Sequence, residues 1–354
     1  MLISIGILAW NEESAIGPTL TSLFGQSALC ATTDLPDFAW EVIVVPNGCS
    51  DRTAEVSRRI LQEQVAQSGR RDITCSIQEI AEAGKSNAWN RYVHDFSARD
   101  AELIVMLDAD IEFGQRETLS NTVKALLADT QAAAAVDLPL KDALKKTSRN
   151  LVERISVAAS HVGANDPVGL SGQFFCARAA LLRQIWMPRG LSVEDGFLAA
   201  MLLTNCMLSP SDNRRLIRAP AASHYYETLT ALRAIFQHEL RLVVGTALNS
   251  YLIWDFLLFA TDPAGSGAGV LIRNQLENDP RWYAKLIDNS IRNRGWWVLP
   301  RGMLFRRFHG WHASRRGGNR ARALAVALAG FMLDLPVFLA ANRRIKKTST
   351  IGYW

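Results

Sequence analysis

Cysteine is scarce in this 354-residue chain, and acidic residues are scarcest where basic ones are densest. The five cysteines, Cys30, Cys49, Cys75, Cys176 and Cys206, are odd in number, and no two share a C-x-x-C spacing. That excludes a zinc knuckle and a complete disulfide framework, so reduced thiols in a cytosolic setting are expected. The N-terminus shows no basic n-region and no small-residue cleavage site, so no signal peptide is expected. There is no internal repeat and no low-complexity tract. A hydrophobic share of 49% against 21% charged excludes a disordered chain. Gly84-Lys85-Ser86 resembles the end of a P-loop, but position 79, where that loop needs glycine, is Glu79. The backbone phosphate cradle is missing, which excludes a P-loop ATPase.

The net charge of +5 is unevenly spread. From residue 281 to the end only Asp288 and Asp334 are acidic, against 15 Lys and Arg, a balance of +13. The first 280 residues hold 24 basic and 32 acidic residues, a balance of −8. The basic end also carries Trp282, Trp296, Trp297, Trp311 and Trp354, half of the ten tryptophans. Arg with Trp suits a membrane interface, and nucleic acid in principle. The membrane is the expectation, with no nucleic-acid partner.

The first half alternates in period. Residues 2–9, 41–45, 73–80, 103–107 and 132–138 read as apolar strands, and helical patterns fill 14–26, 52–67, 84–96 and 118–128 between them. This order predicts a doubly wound, mostly parallel α/β sheet. Right-handed crossovers place the carboxyl ends of parallel strands on one edge, where ligands bind. The turns at that edge carry Asn11 and Glu12, Asn47 and Asp51, Lys85 and Asn87, and Asp108 and Asp110. The spacing predicts a nucleotide-sized site there.

Beyond the sheet a helix is expected over 141–160, a glycine-punctuated strand over 168–175, a helix over 197–208, a strand over 216–223 and a helix over 228–248. Ser192 and Asp195 fit a helix N-terminal cap. A Gly/Pro linker is expected over 263–269. Residues 323–341 are almost wholly apolar, broken by Asp334 and Pro336 and flanked by basic residues. That run is near the roughly 20 residues a span needs. A mid-helix Asp is costly in lipid, so a helix in the membrane interface is expected, with a single span and a buried core helix as the alternatives. The division expected is residues 1–248 for the sheet domain and 249–354 for a helical, basic, Trp-rich extension.

Individual motifs leave alternatives open. Asp108 and Asp110, two apart after a strand, can share a hard divalent cation or simply form a turn. Lys85 at a helix start can meet a phosphate by charge or stay solvated. Glu194-Asp195 can supply a general base or cap a helix. His224 is a lone histidine, and Gln237 with Arg241 can be no more than a polar helix face.

In their order these pieces resemble the family 2 inverting nucleotide-sugar glycosyltransferases of the GT-A fold. The matching stretches are Ile7 to Glu13, Val44 to Asp51, Gly84-Lys85-Ser86-Asn87-Ala88, Asp108-Ala109-Asp110, Ser171-Gly172-Gln173-Phe174 and Glu194-Asp195. The resemblance covers about residues 2–245. It implies Mn2+ or Mg2+ on Asp110 and Asp108, with His224 as a further metal candidate. It implies Asp195 as the base with Glu194 beside it. Ala9, Asn11, Glu12, Asn47, Asp51, Lys85, Asp108, Ala109, Gly172 and Gln173 would line the nucleotide-sugar site. Gln237 and Arg241 would serve the acceptor or diphosphate side, although Leu242 breaks the Gln-x-x-Arg-Trp pattern of processive members. Pro46 stands where many members carry a base-reading Asp, so GDP joins UDP as a donor nucleotide. The acceptor expected is a lipid-linked or free saccharide at the cytoplasmic face of the cell membrane. The rival reading is a catalytically inert sugar-nucleotide-binding subunit of a membrane complex.

Overall fold

The structure is a computed structural model. It describes residues 1–149, 168–262, 265–305 and 320–347, with Glu153, Arg154, Val157, Arg307 and Phe308 between them. The first part alternates β1 (Leu2–Ala9), α1 (Ile16–Phe24), β2 (Ala39–Pro46), α2 (Thr53–Ser68), β3 (Ile73–Ile77), α3 (Lys85–Arg91), β4 (Leu103–Asp108), β5 (Glu112–Phe113), α4 (Thr118–Ala128) and β6 (Ala134–Lys141). β7 (Phe174–Arg178), α5 (Glu194–Leu203), β8 (Leu216–Tyr226) and α6 (Leu232–Tyr251) follow. The sheet order is β3-β2-β1-β4-β7-β6-β8-β5. β1 pairs parallel to both β2 and β4, while β7 runs antiparallel between β4 and β6.

The pattern of each strand explains its place. In β4, Leu103, Val105 and Leu107 enter one core cluster, and Ile104 and Met106 enter the other. A strand apolar on both faces belongs in the middle of a covered sheet. Gly6 in β1 admits the ring of Tyr92, since a Cβ there would lie 2.2 Å from Tyr92 Cε1. The Tyr92 hydroxyl reaches Ser4 Oγ at 2.9 Å, so its one polar atom is satisfied.

Several expected boundaries move. The helix expected from residue 141 is instead the end of β6, where Lys141 pairs with Tyr226 of β8, followed by a 3-10 turn at Asp142–Lys145. Asp142 Oδ1 accepts from Thr228 N, and Ala143 N donates to Thr228 Oγ1, which fixes that turn. The rest of 141–160 lies largely outside the described residues. The strand expected over 168–175 begins only at Phe174, and the glycines before it form a loop. Ser192 does not cap α5, whose preceding residue is Val193 at φ 60.

The boundary expected at 248/249 falls inside one helical rod. α6 continues through a π-helical turn, Leu252–Leu257, to Ala260. Residues 232–260 are long and apolar enough to cross a membrane by length and composition, and half of their apolar window is buried in protein. Of the expected linker, Pro263 and Ala264 lie outside the described residues, and Ala268 already opens α7 (Ala268–Asn278). α8 (Trp282–Arg294) and α9 (Arg320–Lys347) follow, with a short helical turn at Arg301–Leu304 between them. One core cluster joins Met106 and Phe175 of the sheet to Tyr251, Ile287, Phe338 and Ile345. Asp334 of α9 is buried and pairs with Arg307 through two contacts of 2.9 Å.

Candidate active site

The carboxyl ends of β1, β2 and β4 bring the predicted turns together. Asn47 is fully buried there. Its amide donates to Ala9 O at 2.8 Å and accepts from Gly84 N at 3.1 Å. Asn47 and the buried Ala9 therefore tie three turns to one another and present no side chain to a ligand. Ala109 is also buried, and its carbonyl accepts from Thr19 Oγ1 at 2.9 Å. Asn11 adopts φ 55 and accepts from Ser50 N at 2.8 Å. Asp51 accepts from Thr53 N and Glu13 N, each at 3.0 Å. Burial opposes its ionisation, but hydrogen bonds, those from Thr53 foremost, hold its carboxyl below the usual range.

Acidic charge accumulates at this edge. Burial, with Asp110, Asp108, Asp51 and Glu227 adding repulsion, pushes the Glu12 carboxyl up to about 7. Asp110 is exposed and Asp108 half-buried. Burial pushes Asp108 up to about 6, with Asp110 and Glu194 adding to it and Lys85 opposing.

Lys85 connects this edge to the second acidic pair. Its Nζ lies 2.8 Å from Asp108 Oδ1, 3.0 Å from Asp108 Oδ2 and 2.7 Å from Glu194 Oε1. Burial disfavours the ammonium, but the two carboxylates outweigh burial and raise its pKa. Glu194 in turn is held below the usual carboxylate range, burial being outweighed by Lys85 and Arg241. Asp195 beside it moves the other way. Burial and then the Glu194 charge raise its pKa. Two adjacent carboxyls pushed apart in this manner can divide the roles of fixed charge and proton acceptor.

The turn that carries the pair is held in an unusual backbone. Val193 is β-branched and sits at positive φ, a genuine outlier for that residue type. Gly245 of α6 makes room for it: a Cβ there would lie 2.3 Å from Val193 Cγ2. Asn249 Nδ2 donates to Val193 O at 2.7 Å. Gly172 closes the other side, since its Cβ would lie 3.2 Å from Glu194 Oε1. Gln237 and Arg241 are exposed on α6, and the positive charge of Arg241 acts on both Glu194 and Asp195.

His224 does not join the metal pair. It is fully buried, with Nδ1 2.9 Å from both carboxylate oxygens of Asp137 and Nε2 3.2 Å from Gln173 Oε1. Both ring nitrogens are engaged inside the protein. Sequence reasoning missed Asp137 altogether, although a carboxylate inside an apolar strand pattern was a visible signal. It also missed Val193 and Gly245, whose meaning appears only in three dimensions.

Among the described residues no three His, Cys, Asp or Glu side chains form a ready-made metal cage. The donors present are hard carboxylate oxygens, and burial, with the charges of Asp110, Asp108 and Asp51 adding to it, raises the Glu12 carboxyl. Such a set fits a cation held by one or two carboxylates and completed by substrate phosphates.

Residues 4–185 match the model of Glycosyl transferase family 2. The chain belongs to that family. This family 2 protein is thus a glycosyltransferase that uses a nucleotide sugar, and its fold is of the GT-A type. A mannosyltransferase from Pyrobaculum calidifontis, solved with GDP-Man and Mn2+, is similar over 96% of this chain and 85% of its own, with 17% identity and a TM-score of 0.53. Glucosyl-3-phosphoglycerate synthase from Mycobacterium tuberculosis, solved with phosphoglyceric acid, is similar over 69% of this chain and 77% of its own, with 18% identity and a TM-score of 0.44. No curated protein matches the chain.

Proposed function

We propose that this glycosyltransferase is cation-dependent and inverting, with Asp195 as the base and a hydroxyl on a lipid-linked saccharide as acceptor. The supporting observation is the Lys85 bridge, 2.8 Å from Asp108 and 2.7 Å from Glu194. It sets the Asp108–Asp110 edge and the Glu194–Asp195 turn side by side, as a transfer between two substrates requires. Asp195 takes the acceptor proton while the acceptor oxygen bonds to the anomeric carbon. The bond from that carbon to the phosphate breaks on the opposite face, and the nucleoside diphosphate leaves. Asp110 and Asp108 would hold Mn2+ or Mg2+. Such an ion, when bound, neutralises the leaving diphosphate. The similar mannosyltransferase was solved with GDP-Man and Mn2+, which supports a GDP-linked donor, with a UDP-linked one as the alternative.

Work at the cytoplasmic membrane surface is part of this reading. Met332, Leu333 and Leu339 of α9 are exposed, and so are Arg343, Arg344, Lys346 and Lys347 at its end. Basic residues near an anionic surface contribute about 1 kcal/mol each. The test is release of nucleoside diphosphate from UDP- and GDP-linked sugars, with and without Mn2+, in the presence of lipid-linked acceptors. Release that needs Mn2+ is expected. Donor binding without turnover under every condition would mean an inert binding subunit.

A further inference from the structure

The transfer chemistry leaves one buried Asp–His pair without a task. Asp137 in β6 is 1% exposed and His224 in β8 is fully buried, 2.9 Å apart. A buried carboxylate is costly unless it is paired. The register between β6 and β8 shifts between Val136 and Leu138, around Asp137. Irregularities of this kind re-aim a side chain, and here they accompany an Asp137 paired with His224.

What the pair holds is Gln173. His224 Nε2 lies 3.2 Å from Gln173 Oε1, and Ser171 Oγ donates to the same oxygen at 3.4 Å. Asp108 N donates to the Gln173 carbonyl at 2.8 Å. The preceding Gly172 lies against Glu194 and Asp195. Gln173 therefore stands between the donor-side aspartate and the base, with His224 Nε2 and Ser171 Oγ both within hydrogen-bond reach of its side-chain amide. Among the described residues no hydrogen bond reaches its amide nitrogen.

We propose that Asp137 and His224 are positioning residues for Gln173, whose amide nitrogen donates to a hydroxyl oxygen of the transferred sugar. Gln173 is then a determinant of donor-sugar specificity. The proposal rests on the transferase reading above, and it replaces the metal-ligand role implied for His224. An amide N–H finds an acceptor in a sugar hydroxyl. A nucleoside diphosphate without its sugar lacks that hydroxyl.

The test is calorimetry on the full chain with Mn2+ and with UDP, GDP and their glucose, galactose and mannose conjugates. The variants are Gln173→Ala, Asp137→Asn and His224→Gln. The quantity read is the affinity that the sugar adds over the bare diphosphate. It is expected to fall about tenfold in each variant, the size of one lost charge-neutral hydrogen bond, while affinities for bare diphosphate and Mn2+ stay unchanged. Gln173→Ala alters only a loop side chain and decides the case even where the core variants do not fold. An unchanged sugar increment in Gln173→Ala overturns the proposal. So does a loss of Mn2+ affinity in His224→Gln or Asp137→Asn, which would restore metal ligation. If wild type binds none of these nucleotides, the transferase reading fails first and this proposal with it.

Discussion

The sheet half and the helical half of the chain treat their large apolar residues in opposite ways. Before residue 230, among the described residues, only Met1, Trp10 and Leu138 stand exposed. From Leu232 onward eleven do, among them Trp254 at 63%, Phe259 at 84% and Leu333 at 77%. The first half uses its hydrophobicity to build a rigid platform and displays carboxylates at one edge. The second half buries one face on that platform and leaves another uncovered, next to basic side chains. Scattered exposed apolar residues are ordinary, whereas a concentration of them marks an interaction surface.

The contrast can be broken most strongly from the core side. Ile5 is fully buried in β1 between Val42 and Val105. Ile5→Ala is expected to lower unfolding stability by about 2–5 kcal/mol, read in urea unfolding. Gly245→Ala comes next. The added methyl meets Val193 and the Ser192 carbonyl, and over-packing of this kind costs about 1–3 kcal/mol. Because the strained turn carries Glu194 and Asp195, kcat should fall more than the stability loss explains. A Gly245→Ala enzyme with full kcat would show that the turn geometry is unimportant.

The smallest stability effects belong to the helical half. Phe259→Ser, Met332→Ser and Leu333→Ser should each change stability by no more than about 0.5 kcal/mol. Together they should abolish sedimentation with vesicles that contain anionic lipid. Equal sedimentation of variant and wild type would detach this surface from membrane binding.

How far the sequence could be read follows the same division. The strands of the first half were legible because each is a short apolar run between polar turns, and the order of turns placed Glu12, Asp51, Lys85 and Asp108 on one edge. The acidic pair at 194–195 was legible as a motif, but its support was not. Val193 at positive φ, Gly245 opposite it and Asp137 beneath Gln173 are long-range contacts with no local pattern. The segment at 141 misled because its charges have helical spacing, while pairing with β8 decides its state. His224 misled because a family role says nothing of the buried Asp137 that engages it. Asp334 read as a costly charge in an apolar helix, and Arg307 accounts for it.

The pH dependence follows from Asp195. Burial and the Glu194 charge raise its pKa in the folded chain. Its contribution to folding is therefore fully present below the unfolded value of about 3.9 and is lost as pH rises through the raised folded value. Activity runs the other way, since a base must be deprotonated. kcat/KM should fall on acidification with a midpoint above that of an ordinary aspartate.

The most direct measurement is single-turnover transfer by Asp195→Asn, set beside its affinity for the nucleotide sugar with Mn2+. If Asp195 is the base, kcat falls by about 10²–10⁴-fold while donor affinity stays at the wild-type value. Retained turnover, or a loss of donor binding in step with turnover, would contradict the division of labour between Asp195 and the Asp108–Asp110 edge.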